Sequence, residues 1–327
     1  MRPELFEIPF LHLTVKSYGM MMVIGFLAAV AVIRYLSRHF TEDPQHITNA
    51  ALYSLIAGVI GARVFFVIHY SEEFRNDLVG LFAIWNGGLE LIGGVLAAIA
   101  VILFYIRYHK QPMRHYLDVL AVGLMVALIF GRIGCLLNGC CYGKPTELPW
   151  GIQFPYGSLA YRSQVRPDLD RDRPQPHLDL PREYFGYVDE QGDYVNELKP
   201  WQFLTRKQQE QVLEGPHQCL PVQPTQLYSS GGAAVLAVIL YGVWRRSQRA
   251  ERAGSYPVLT KPGSTFSLMF ILYGTMRFLI EWLRDDNPYE IDHLTISQLL
   301  SVGLIALGVV LVACYARSRP EQLPKHR

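Results

Sequence analysis

The apolar positions of this chain gather into long blocks separated by shorter polar stretches. A helix needs about 20 mostly apolar residues to cross the hydrocarbon of a bilayer. Seven segments come close to that length: Tyr18–Leu36, Asn49–Tyr70, Leu89–Tyr105, Tyr116–Leu137, Thr225–Trp244, Ser264–Leu283 and Leu294–Tyr315. Most are apolar around the whole helix, which predicts burial in lipid or protein rather than a single buried stripe. Gly58, Gly61, Gly93, Gly94, Gly123, Gly303 and Gly308 fall inside them, as suits close helix packing in a bilayer. Arg34 and Arg38 follow the first apolar run instead of preceding it. That run therefore reads as a span and not as a cleaved signal peptide.

The polar connections orient the spans. Arg107, Lys110 and Arg114 follow the third, and Arg245, Arg246, Arg249, Arg252 and Lys261 follow the fifth. Arg317, Arg319, Lys325 and Arg327 lie in the tail. The alternate connections are acidic, with Glu72, Glu73 and Asp77 in one and Asp285, Asp286, Glu290 and Asp292 in another. Basic connections stay cytoplasmic, which predicts an outside N-terminus and a cytoplasmic C-terminus. One outer connection is long, polar and rich in Pro and Tyr. The expected organisation is helices one to four over residues 1–138, an exoplasmic head segment over 139–223, and helices five to seven with a cytoplasmic tail over 224–327. Trp150–Phe154 and Tyr184–Val188 are strand-like, and the charged stretch Arg162–Arg173 reads as an exposed loop or linker. The predicted fold is an all-α integral membrane bundle of seven helices with a small β-containing exoplasmic head.

Composition agrees with this class. Half the residues are hydrophobic and 18% are charged, which excludes a disordered chain and argues against an ordinary soluble domain. A net charge of +2 is too small to suggest a nucleic-acid partner. Five cysteines (Cys135, Cys140, Cys141, Cys219, Cys314) are too few for a disulfide scaffold. Cys140, Cys141 and Cys219 lie on the outer side, where one disulfide and free packed thiols are both open readings. A metal site would need further ligands, so neither a metal nor a cofactor is expected.

The informative residues are charges within the spans. Arg63, Arg132 and Arg277 lie in the second, fourth and sixth helices, all running from inside to outside. At about 1.5 Å per residue they sit roughly 18–24 Å above the inner boundary. Intramembrane charge is costly and faces a bundle interior or polar cavity. One reading is snorkelling with local pairing, for which Glu281 is the i+4 partner of Arg277. The other is a guanidinium cluster gripping an anionic lipid headgroup. Tyr18, Glu90, His69, Asn138, Cys140, Cys141 and Gln298 map to the same outer layer, and Tyr273, one turn below Arg277, sits nearer mid-bilayer. Clustered arginines in a low-dielectric site would stabilise a departing phosphate, and a thiol nucleophile would need a base, for which Glu90, Glu281 and His69 have plausible depth. A transporter is the competing class, but the inner half offers no continuous polar track.

The stretch from Gly131 to Gly143, reading GRIGCLLNGCCYG, resembles the signature loop of bacterial prolipoprotein diacylglyceryl transferases. Other motifs of that family are similar and in order. They are Tyr18-Gly19, Gly61-Ala62-Arg63, Trp85-Asn86-Gly87-Gly88 followed by Gly93-Gly94, Gln223 to Tyr228, and Tyr273-Gly274 with Arg277 and Glu281. The resemblance implies transfer of the diacylglyceryl group of phosphatidylglycerol to the cysteine thiol of a prolipoprotein signal peptide. Glycerol-1-phosphate is released, at the outer face of the cytoplasmic (inner) membrane, without a cofactor. It implies that Arg132 and Arg277 hold the phosphate, and that Tyr18, Asn138, Gly143, Tyr273 and Glu281 fall at other functional positions. With these, Arg63, Gly93, Gly94 and Gln226 complete the expected substrate-binding set, and Glu90 is an expected catalytic residue. Two departures stand out. The family's third helix carries a His, a leading candidate base, where this chain has Ile92, and Cys135 and Cys140 replace the family's Asn and Glu. The alternative is thus a retasked or inactive paralog that binds anionic phospholipid.

Overall fold

A computed structural model describes residues 4–8, 13–41, 43–72, 74, 80–82, 88, 90–189, 192–291, 293–319 and 321. Trp85, Asn86 and Gly87 of the third-helix motif, the loop acids Glu73, Asp77 and Asp292, and the tail residues Lys325 and Arg327 lie outside them.

A hairpin of β1 (Glu4–Ile8) and β2 (Leu13–Lys16), antiparallel, precedes the first helix; the hydrophobic pattern did not anticipate it. Helices α1 (Ser17–Ser37), α2 (Gln45–His69), α3 (Leu91–Tyr108) and α4 (Met113–Asn138) follow. The next segment contains α5 (Leu159–Gln164), a β3 (Phe185–Val188) and β4 (Tyr194–Leu198) hairpin, and α6 (Arg206–Leu213). Three helices then complete the chain: α7 (Thr225–Arg252), α8 (Ser264–Glu281) and α9 (Ile296–Arg317). Five of these, α1, α2, α4, α7 and α9, are long and apolar enough to cross a membrane. Both α3 and α8 are 18 residues long and fall where the remaining two spans were expected. Large apolar side chains such as Leu27, Phe104, Val238 and Leu300 are left exposed along the helices, a surface that suits lipid rather than water.

The chain divides into two compact units. The first comprises Met1–Phe26, Met125–Ile239 and Ser267–Val310. Its polar connection has its own core, in which Phe154, Tyr161, Leu180, Tyr184, Leu198, Val212 and Val222 are buried together. The β3–β4 hairpin realises one strand expectation. Trp150–Phe154 forms no strand and contributes only an isolated bridge, Ile152 to Val222. The charged stretch 162–173 is not an exposed loop throughout: it begins inside α5, and Arg171 is buried. The reason is local pairing. Arg171 donates to the carbonyl oxygens of Arg284 and Asn287, pairs with Asp285 at 3.5 Å and covers the Tyr289 ring.

The second unit comprises Leu27–Leu124, Leu240–Phe266 and Leu311–Arg327. Here α2 and α3 pack through glycine. A Cβ on Gly93 would lie 2.4 Å from the Phe65 side chain, and one on Gly94 would lie 2.9 Å from the Gly58 carbonyl oxygen. Asp118 accepts from the backbone N–H groups of Gly263 and Phe266 at 2.8 and 2.9 Å, a carboxylate capping the N-terminus of α8. His115 Nε2 lies 3.1 Å from Glu251, and Glu321 accepts the Arg114 backbone N–H at 2.7 Å.

Candidate active site

The site in the first unit starts where α4 ends. Gly131 and Gly134 share one face of α4 and admit the start of α1: a Cβ on Gly134 would lie 3.1 Å from Met21 and 3.3 Å from the Tyr18 ring. The helix closes with a Schellman motif. Gly139, at φ +75°, donates its N–H to Leu136, and Cys140 donates its own to Cys135 at 3.1 Å. This motif brings the third residue from the helix end against the second residue beyond it, here Cys135 against Cys140. Cys141 is also left-handed, at φ 58°. The three sulfurs lie within 4.8 Å of one another. The turn is pinned by α7, where Thr225 Oγ1 donates to the Cys141 carbonyl and Gln226 Nε2 to the Cys140 carbonyl at 2.8 Å. Gly143 then passes so close to Gln223 that a Cβ would sit 2.5 Å from it.

All five cysteines are free. Of the two readings left open, the structure takes packed thiols over a disulfide. Cys219 is buried beside Gln164 Oε1, and burial pushes its thiol up to about 11. Cys141 is different: its contacts with Cys135 and Cys140, aided by the charges of Arg284 and Arg132, hold its thiol below the ordinary range.

The second wall is a stripe on α8. Tyr273, Arg277 and Glu281 follow at i, i+4 and i+8, so they share a face. Arg277 Nη2 donates to Ser297 Oγ and meets Glu281 Oε2, each at 2.8 Å. Glu281 is braced further, its Oε1 accepting from Thr295 Oγ1 at 3.0 Å and from Asn287 Nδ2. Just past the helix, Arg284 is buried and bidentate to Asp286, at 2.8 and 2.7 Å. Among the described residues Arg277 Nη1 is buried without an acceptor. Arg132 is half-buried and, among the described residues, has neither a hydrogen-bond nor a carboxylate partner, yet Arg132 and Arg284 both act electrostatically on Arg277. Tyr18 lies in the field of Arg132 and the three cysteines. A cavity of about 290 Å³ opens on Glu281, lined also by Lys144, Arg171, Tyr289 and Gln298.

The remaining expected residues have other surroundings. Arg63 is buried in the second unit, where its guanidinium donates to the carbonyls of Gly80, Leu81 and Gly88 and lies over the Phe66 and Phe74 rings. Those contacts tie α2 to residues 80–81 and 88. Gly93 and Gly94 serve helix packing, and Gln226 serves the Cys140 turn. Glu90 is the N-cap of α3 in extended conformation, 3.5 Å from His69 Nδ1. The helix starts at Leu91, so Glu90 is not bound by the face geometry that would separate it from Ile92. Gln298 belongs to a capping box with Thr295. Sequence reading overlooked Arg284 and Arg171. Arg284 was masked by its acidic neighbours, although the i, i+2 pair with Asp286 was visible.

These features define a multi-pass membrane protein with a cationic site whose guanidiniums are not all neutralised, the makings of a site for an anionic group. Residues 3–314 match the prolipoprotein diacylglyceryl transferase family, and the chain belongs to that family. A Rhodopirellula baltica protein named phosphatidylglycerol–prolipoprotein diacylglyceryl transferase is 29% identical, over 95% of this chain and 75% of its own. Proteins of the same name from Clostridium tetani and Desulfotalea psychrophila are 28% and 27% identical, over 94% and 91% of this chain and 96% and 88% of theirs.

Proposed function

We propose that this chain transfers the diacylglyceryl group of phosphatidylglycerol to the lipobox cysteine thiol of a prolipoprotein, releasing glycerol-1-phosphate. The observation that carries this reading is the pair of unsatisfied guanidinium groups, Arg132 and the Nη1 of Arg277, in a family whose named members perform that transfer. An unpaired charge in a low-dielectric setting is costly, and a phosphate oxygen is its natural complement. In the reaction the peptide thiol loses its proton, its sulfur bonds to the glyceryl carbon, and the bond from that carbon to the phosphate oxygen breaks. Negative charge then grows on the leaving phosphate, where Arg132 and Arg277 stabilise it. Glu281 holds Arg277 in its rotamer and is too committed to serve as base. Tyr18, Asn138 and Tyr273 are the proposed substrate-positioning groups, and the expected base, Glu90, belongs to the second unit, partly open beside His69. We read seven spans, with N-terminus and head exoplasmic and tail cytoplasmic, in the inner membrane.

The test is purified protein with phosphatidylglycerol vesicles and a lipobox peptide, read by mass spectrometry for the thioether. No product beside an active control enzyme would remove the transferase reading. Ile92, exposed and unable to accept a proton, favours the second reading, a lapsed paralog that binds anionic lipid. Activity appearing only in Ile92→His would support it, and activity of the natural chain eliminates it.

A further inference from the structure

We propose that Cys135, Cys140 and Cys141 form a three-thiolate site for a soft d¹⁰ cation, Zn²⁺ or Cu⁺. The Schellman turn is what builds it. Two of the three sulfurs meet because the turn apposes their positions, and the third is turned in by the left-handed backbone at Cys141. Zn–S bonds of about 2.3 Å hold three sulfurs about 3.8–4.0 Å apart. Sulfurs already within 4.8 Å need only small side-chain rotations to reach that spacing.

The donor set selects the ion. Among the described residues no carboxylate or imidazole joins the group, so oxygen-seeking Mg²⁺ and Ca²⁺ find no ligands. Soft thiolates favour Zn²⁺ and Cu⁺. Three ligands complete a trigonal Cu⁺ site and leave Zn²⁺ one open position. Binding displaces up to three thiol protons to solvent. The negative charge that results lies in the field of Arg132 and Arg284, which offsets it. The cation would lock the end of α4 and thereby the direction in which Arg132 and Asn138 are presented. Because the site rests on sulfur geometry alone, it stands or falls separately from the lipid-transfer reading.

The full chain in detergent, freshly reduced and desalted, is titrated in separate arms with Zn²⁺ and with Cu⁺ under argon, and retained metal is counted after gel filtration. One equivalent per chain is expected in at least one arm, lost in Cys135→Ala, Cys140→Ala and Cys141→Ala but kept in Cys219→Ala and Cys314→Ala. A variant-free readout guards against misfolded mutants. In the natural chain the bound cation should slow iodoacetamide labelling at the half-buried Cys140 and Cys141 and leave the exposed Cys314 unchanged, mapped by peptide mass spectrometry. No retained metal in either arm, or labelling of Cys140 and Cys141 unchanged by metal, overturns the proposal. So does a disulfide within the trio in protein isolated from membranes without reductant.

Discussion

Arg132 and Arg277 differ in how the protein holds them, and that difference predicts how each fails. Arg277 is fixed by Ser297 and Glu281, whereas Arg132 has no such partner among the described residues. Arg132→Ala should therefore leave the folded protein intact and lower transfer by about 100- to 1000-fold, the usual cost of removing one charge-stabilising donor. Arg132→Lys should rescue little of it, since a point ammonium cannot match two phosphate oxygens as a planar fork does. Initial rates with a lipobox peptide check both. Glu281→Gln should cost about 3–5 kcal/mol of stability, because it leaves Arg277 buried and uncompensated; thermal unfolding in detergent measures it. At Cys219 the raised thiol pKa means that the reactive thiolate forms only at strongly alkaline pH. Iodoacetamide at neutral pH should thus spare Cys219 until the chain is unfolded.

Elements place these residues, and two turns decide the geometry. The left-handed backbone at Gly139 costs a residue with a Cβ roughly 1–2 kcal/mol. Gly139→Ala should lower the unfolding temperature and also weaken transfer, because the same turn fixes the end of α4 that carries Arg132. A destabilised variant with wild-type turnover would show that the turn does not position the site. The pairing of α2 with α3 makes a different demand, for size alone. Gly93→Leu drives a side chain into Phe65 and should separate the pair, seen as loss of folded protein in the membrane fraction.

For the whole molecule the governing constraint is the bilayer. Five long apolar helices and their exposed apolar side chains require lipid around them, and the charge alternation of the connections predicts how the chain lies in it. An alkaline phosphatase reporter joined in the β3–β4 hairpin should be active, and a fluorescent protein at the tail should fold in the cytoplasm. The reverse pattern would move the site to the other leaflet and remove its access to exported prolipoproteins.

Apolar block length alone marked where helices form, since the penalty for unsatisfied backbone in lipid leaves little alternative; each of the seven segments contains or overlaps an observed helix. Arg132, Arg277 and Glu281 were legible for a related reason, charge inside an apolar run being too costly to be idle. Which charges are neutralised was not legible. Arg63 looked equivalent to Arg132 until backbone carbonyls from a distant loop were seen to occupy it, and Arg171 and Arg284 looked like loop charge until burial joined them. The convergence of three thiols likewise depends on one left-handed glycine closing a helix. Pairing and convergence are set by through-space distance, which a linear pattern of residue types does not encode.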